Sequence, residues 1–187
     1  MPHTMPTVLI PLAQGCEELE TVTLIDLLRR ANIHVITASL DEKPVKCARD
    51  TVILADTTLA EVIEQDFDLL VLPGGLPGAD NLNADSRIHQ LINQQSKSNK
   101  LIGAICAAPK VLVTNGILDG KKATAYPSSL DLLDTSNITL TDAVVQVDGN
   151  IITSKGPGTA IDFALTLIEL LLGNKAKLKV EEPLCRS

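Results

Sequence analysis

Cysteine is the strongest common nucleophile among the side chains, and its reactivity is set by where it sits. The chain carries four cysteines, Cys16, Cys47, Cys106 and Cys185. Cys106 falls where the apolar run Lys100 to Ile105 gives way to Ala107-Ala108-Pro109. A buried strand that runs into a helix exposes the residue at the turn on top of the sheet, the plan of a nucleophile elbow. Gly103, Ala104, Ala107 and Ala108 are the small neighbours such a turn requires. A thiol at a helix N-terminus faces unpaired N–H groups and the positive end of the dipole, so its pKa is expected to be lowered. The spacing alone leaves a second reading open, a buried cysteine that packs as a small hydrophobe.

Two other segments carry chemistry at the ends of apolar runs. Pro73-Gly74-Gly75 follows Phe67 to Leu72, and paired glycines let backbone N–H groups approach a developing oxyanion; a simple turn is the alternative. Glu20 lies in line with Leu24, Leu27 and Ala31, the apolar stripe of a helix. A carboxylate there is costly to bury in ionised form, so it is expected to be protonated or held by a specific partner, as a general acid/base near neutrality would be. A favourable charge at the helix start is the other reading of Glu20. Glu17 and Glu18 read as charges of that kind. His3, His34 and His89 adjoin none of these segments, so a Cys–His dyad is not supported and the acid/base work falls to a carboxylate.

The elements that must position these groups alternate between strand and helix patterns. Strands are expected at Thr7 to Leu12, His34 to Leu40, Phe67 to Leu72 and Lys100 to Ile105, with one or two short extended pieces between Val45 and Leu54. Helices are expected at Glu17 to Ala31, Leu59 to Glu64, Asp85 to Lys97, Ala107 to Asn115 and Thr159 to Leu172, the last stopped by Gly173. Asp148-Gly149 marks a hairpin between Val144 to Val147 and Asn150 to Thr153. Continuous apolar strands between helices predict an α/β fold, a mainly parallel sheet covered on both faces, with its site at the carboxyl ends of the strands. The 187 residues suit a single domain, 1–187.

Composition narrows the function classes. The formal charge of −7 repels phosphate backbones, and one Tyr, two Phe and no Trp leave no base-stacking platform, so nucleic-acid binding is not expected. Lys175, Lys177 and Lys179 read as a solvated helix face. No cysteine has a partner at metal-ligand spacing, so no metal is expected. The apolar starts and ends are too short for a signal peptide or a membrane span. A cytoplasmic protein with free thiols follows.

Four segments in order, Gly15-Cys16-Glu17-Glu18-Leu19-Glu20-Thr21, Val71-Leu72-Pro73-Gly74-Gly75, Ala104-Ile105-Cys106-Ala107-Ala108-Pro109 and Ser154-Lys155-Gly156-Pro157-Gly158-Thr159, resemble the ThiJ/PfpI superfamily. The nearest branch is that of the Parkinsonism-associated protein deglycase and its bacterial relatives. The resemblance spans nearly the whole chain. It implies a flavodoxin-like three-layer sandwich and a homodimer that needs no cofactor. It implies that Cys106 is the oxidisable nucleophile, that Glu20 is a protonated acid bonded to its sulfur, and that Gly74 and Gly75, with the Ala107 N–H, are backbone donors. The activity implied is conversion of methylglyoxal or glyoxal to hydroxy acids, or repair of early glycation adducts on side chains. The alternative is a redox-sensing stress chaperone acting through oxidation of Cys106. By the same analogy, the first helix and the segment Cys47 to Asp50 meet across the dimer interface, with Arg30 and Arg49 bordering the pocket mouth. Two departures stand out. Proteolytic members carry His directly after the nucleophile, where this chain has Ala107, so peptide cleavage is not expected. The branch carries His where this chain has Tyr126, so a phenol replaces an imidazole in the pocket.

Overall fold

The structure is a computed structural model and describes residues 5–186; His3 lies outside them. In chain order the elements are β1 Thr7–Leu12, α1 Glu18–Arg30, β2 His34–Ser39, β3 Val45–Lys46, β4 Val52–Ile53, β5 Thr57–Thr58, α2 Leu59–Val62, β6 Leu69–Leu72, α3 Gly78–Ala84, α4 Ser86–Lys97, β7 Leu101–Ile105, α5 Pro109–Asn115, β8 Lys122–Ala123, β9 Thr139–Leu140, β10 Val145–Asp148, β11 Ile151–Ser154, α6 Ala160–Leu172 and α7 Asn174–Glu181. The main sheet has seven strands in the order β10-β11-β7-β6-β1-β2-β5. All its pairings are parallel except the β10–β11 hairpin.

Strand pleating explains why the apolar runs are continuous. Successive side chains point to opposite faces, and both faces are covered. Val8, Ile10 and Leu12 of β1, with Leu69 and Val71 of β6, pack under α1, α6 and α7. Leu9 of β1, with Leu70 and Leu72 of β6, packs on the other side with α2, α4 and α5. The result is a three-layer, flavodoxin-like α/β sandwich. Gly103 of β7 lies under Phe163 of α6, whose Cζ would stand 3.0 Å from a Cβ at that position. Emptying the Phe163 site, fully buried here, is the kind of change that costs about 3–5 kcal/mol.

The structure differs from the sequence expectations in five places, one of them the short edge strand β5, which pairs with β2. Helix α3, Gly78–Ala84, has only Ala79 and Leu82 as buried apolar residues, too few to show a periodic stripe. The helix after Cys106 starts at Pro109 rather than Ala107, because residues 106–108 form a turn and the proline takes the first helical position. The short β8 and β9 form a separate parallel pair, and α7 follows Gly173 directly. Gly173 does end α6, at φ 85°.

Candidate active site

Three strand ends converge. The loop after β1 reaches the loop after β6 through Glu17 N–H, which donates to the Gly74 carbonyl at 2.9 Å. Gly78 N–H in turn donates to the Gly15 carbonyl at 3.1 Å. β7 lies beside β6, so Cys106 follows on from Ile105 next to the glycine pair. This is the carboxyl edge of the sheet at the point where the chain switches direction from β1, the usual place for a site in an open α/β sheet.

Cys106 has φ of 64°, a left-handed backbone that costs a non-glycine residue about 1–2 kcal/mol. It is held there from both sides. Its N–H donates to the Ser154 carbonyl at 3.0 Å, and its carbonyl accepts the Tyr126 N–H at 2.8 Å. Only 7% of the residue is exposed, and it opens into a cavity of about 370 Å³ lined also by Glu17, Arg49, Gly75, Ala107 and Tyr126. A roomier hollow of about 480 Å³ lies between Gln14, Asp41, Asn81 and Asp85; no cysteine lines it.

Glu20 is fully buried on the apolar face of α1. Its Oε2 accepts the Gly74 N–H at 2.8 Å, and the Cys106 thiol lies within hydrogen-bonding reach of the same carboxyl. Its Oε1 is buried without a hydrogen-bond partner, which an ionised carboxylate tolerates poorly. Burial pushes the Glu20 carboxyl up to about 7, with the nearby Glu17 charge adding to the effect and the Gly74 N–H opposing it. Gly74 must be glycine, because a Cβ there would sit 2.6 Å from the Cys106 Cβ and 2.8 Å from Glu20 Oε2. Its N–H is therefore turned to Glu20 rather than to the sulfur.

The expected lowering of the Cys106 thiol is corrected by this geometry. Burial first, and then the negative charge of Glu20, push it up to about 12, while the backbone N–H groups of Gly75 and Ala107 pull it down. The donors at the turn are present, but burial and the carboxylate beside the sulfur outweigh them.

The remaining residues divide clearly. Arg49 and Tyr126 line the Cys106 cavity. Arg49 is the one arginine among the described residues that forms no ion pair. Arg30 does not line the cavity; it sits at the far end of α1, bonded to Asp26 at 2.7 Å. Glu17, read as a helix-start charge, is a cavity residue, as are Leu76, Ser128, Ser129 and Pro157. Glu17 and Pro157 lie inside the four segments and Leu76 beside one, whereas Ser128 and Ser129 carry no signal beyond following Tyr126. Lys155-Gly156-Pro157-Gly158 is a structural turn, with Thr159 Oγ1 accepting the Gly156 N–H at 3.1 Å and Lys155 paired to Asp142. His89 joins α3 to α5 through the Asn83 carbonyl and Asn115, and no histidine among the described residues lines the cavity. No group of three metal-ligating side chains occurs among them either.

Comparison with known proteins follows the same residues. Residues 6–170 match the model of the DJ-1/PfpI family. The chain is 46% identical over 175 residues to protein dj-1beta of Drosophila melanogaster, covering 93% of this chain and 92% of that one. It is 37% identical over 178 residues to a Caenorhabditis elegans protein named glutathione-independent glyoxalase DJR-1.2, covering 95% and 94%. Among solved structures, Drosophila melanogaster DJ-1beta superposes with a TM-score of 0.94 at 43% identity, covering 98% of this chain and all of the other. An oxidised DJ-1 from Toxoplasma gondii superposes with a TM-score of 0.92 at 36% identity, over 97% of this chain and 99% of that one.

Proposed function

The chain belongs to the DJ-1/PfpI family, and from that premise we propose that it is a cofactor-independent, cysteine-dependent glyoxalase and deglycase, acting as one domain on α-oxoaldehydes or early glycation adducts. The observation that carries this reading is the Cys106–Glu20 pair, a thiol and a buried carboxyl with one Glu20 oxygen unpartnered. The similarity to a relative named as a glyoxalase supports the substrate class.

The pair holds two protons in acid. The first leaves near 7, Glu20's raised value, and the second leaves only against the charge already there, near 12. Sites this close titrate as a unit, so the question near neutrality is where the one remaining proton rests. Two backbone N–H groups, those of Gly75 and Ala107, favour charge on sulfur, and one, that of Gly74, favours charge on oxygen. At rest the charge lies on Glu20 and the proton on sulfur; passage of that proton to Glu20, helped by the Gly75 and Ala107 N–H groups, makes the attacking thiolate.

That arrangement fits aldehyde chemistry. The thiolate attacks the aldehyde carbon, and the Gly75 and Ala107 N–H groups pass from the sulfur to the developing oxyanion. Glu20 gives its proton to that oxygen, forming a hemithioacetal, and becomes a carboxylate. As a base it then takes the proton from the former aldehyde carbon and returns it to the neighbouring carbonyl carbon through an enediol. The product is a thioester, which water hydrolyses to lactate from methylglyoxal, freeing the thiol. For a glycated side chain, the amine or thiol departs instead. Tyr126 and Arg49 border the space the substrate enters. We place the enzyme in the cytoplasm; no helix among the described residues is long and apolar enough to cross a membrane.

The test is lactate formation from methylglyoxal. Cys106→Ser is expected to abolish it, and Glu20→Gln to lower it by about 10²–10⁴-fold, the usual worth of a positioned acid/base. Wild-type protein that forms no more lactate than Cys106→Ser overturns the proposal.

A further inference from the structure

The mechanism leaves two buried thiols unused. Cys16 and Cys47 face each other with Sγ atoms 3.6 Å apart, and their exposures are 0% and 4%. Backbone bonds clamp the two segments around them. Gly15 N–H donates to the Lys46 carbonyl at 2.7 Å, and Ala48 N–H donates to the Cys16 carbonyl at 2.8 Å. The thiols are thus held together by the frame rather than by chance side-chain placement.

We propose that Cys16 and Cys47 are a reversible redox pair that closes to a disulfide under hydroperoxide stress and, in closing, slows the chemistry of Cys106. The cavity that serves Cys106 is lined by Ala48 and Arg49, so a small hydroperoxide entering it comes within a residue of Cys47. The Cys47 sulfur attacks the peroxide; the O–O bond breaks, a sulfenic acid forms, and an alcohol or water leaves. The Cys16 sulfur then attacks the sulfenic sulfur, the S–O bond breaks, and the departing hydroxide takes the Cys16 proton as water. Two electrons pass from the thiols to the peroxide. A reducing dithiol reverses the change by exchange. Burial pushes Cys47 up to about 12 and also raises Cys16, so little thiolate is present at rest and closure is slow.

Closure has a route to the active site. The sulfurs must move from 3.6 Å to about 2.05 Å apart. The Cys16 backbone has no slack in which to absorb the pull. A Cβ at Gly78 would lie 2.6 Å from Cys16 Cα, and one at Gly75 would lie 2.8 Å from the Cys16 carbonyl carbon. Displacing Gly75 displaces an N–H that faces the Cys106 sulfur. This coupling rests on the proposed role of Gly75, whereas the disulfide itself does not.

The experiment uses full-length protein with Cys185→Ser, which removes the exposed thiol. After graded hydrogen peroxide, peptide mass mapping without reductant is expected to show Cys16 and Cys47 peptides joined with loss of both thiol hydrogens, and released by dithiothreitol. In parallel, diamide closes the pair without transferring oxygen, and Cys106 alkylation is timed. Closure is expected to slow alkylation at least about threefold, since small misplacements in such a site are expensive in rate, and dithiothreitol restores it. Cys16→Ala shows neither effect. Absence of the cross-link at peroxide doses that already oxidise Cys106 overturns the proposal, as does a cross-linked protein whose Cys106 alkylates at the unlinked rate. Both readouts are independent of lactate formation, so their failure is distinct from failure of the aldehyde reading.

Discussion

Glu20 gives the site its character through the cost of its burial. An ordinary carboxyl ionises near 4.5, and here the value stands near 7. In the folded state the proton is kept longer than in the unfolded state, so the protonated form adds stability that is fully present below about 4.5. That stability is lost as the pH rises through 7. The shift corresponds to about 3 kcal/mol. Replacing Glu20 with Gln removes this dependence. Between pH 4.5 and 7 the difference in unfolding free energy between the two proteins is expected to move by about 3 kcal/mol in favour of Glu20→Gln. Urea unfolding at several pH values measures it; parallel curves would show that Glu20 is not held protonated. The sequence revealed the buried carboxyl because it interrupts a helical stripe. It could not reveal that Gly74 N–H turns toward that carboxyl, since this depends on how helix α1 meets the loop after β6, 54 residues apart.

At the scale of the element, the turn between β7 and α5 is what aims the thiol. Cys106 is held at φ 64° by bonds from Ser154 and Tyr126, so the strain is borne by neighbouring strands and loops. Glycine adopts this backbone freely, whereas alanine does not. Cys106→Gly is therefore expected to be at least as stable as Cys106→Ala, reversing the usual order in which glycine costs about 0.5–1 kcal/mol. Thermal unfolding of the two variants decides it, and a clearly less stable glycine variant would contradict a strained turn. The strand and the small residues around Cys106 were legible because β7 is buried on both faces and admits only apolar or small side chains. The start of α5 was not, because Ala107 and Ala108 suit a helix and a turn equally well. Helix α3 was invisible for a related reason: its polar sequence is held by packing against α4 and α5, and local pattern carries no trace of that.

For the whole molecule, the surface carries apolar side chains that the fold does not cover. Leu19 and Val22 on α1 are each 51% exposed, and Val52 of β4 and Leu54 just after it are 62% and 82% exposed. Glu18 ties these two regions together, its carboxylate accepting the Arg49 N–H at 2.9 Å. We propose this face as the homodimer interface, consistent with an apolar patch on otherwise charged surface. Light scattering is expected to give twice the chain mass, and Val22→Glu with Leu54→Glu to give a monomer that keeps its fold. A wild-type monomer would remove the proposal. The sequence indicated the sheet order only through the family resemblance, because strand neighbours are chosen by long-range packing. The Cys16–Cys47 contact was hidden for the same reason.

The reactivity of Cys106 turns on whether the shared proton passes from its sulfur to Glu20, and the pH dependence of Cys106 alkylation reads that directly. Wild-type protein is expected to show the rate rising through an inflection near 7, with a distinct inflection in Glu20→Gln, because the proton is then no longer shared. A wild-type rate that stays flat through 7 and rises only toward 12 would show that the proton does not pass from the sulfur to Glu20 and that Cys106 is an unreactive thiol.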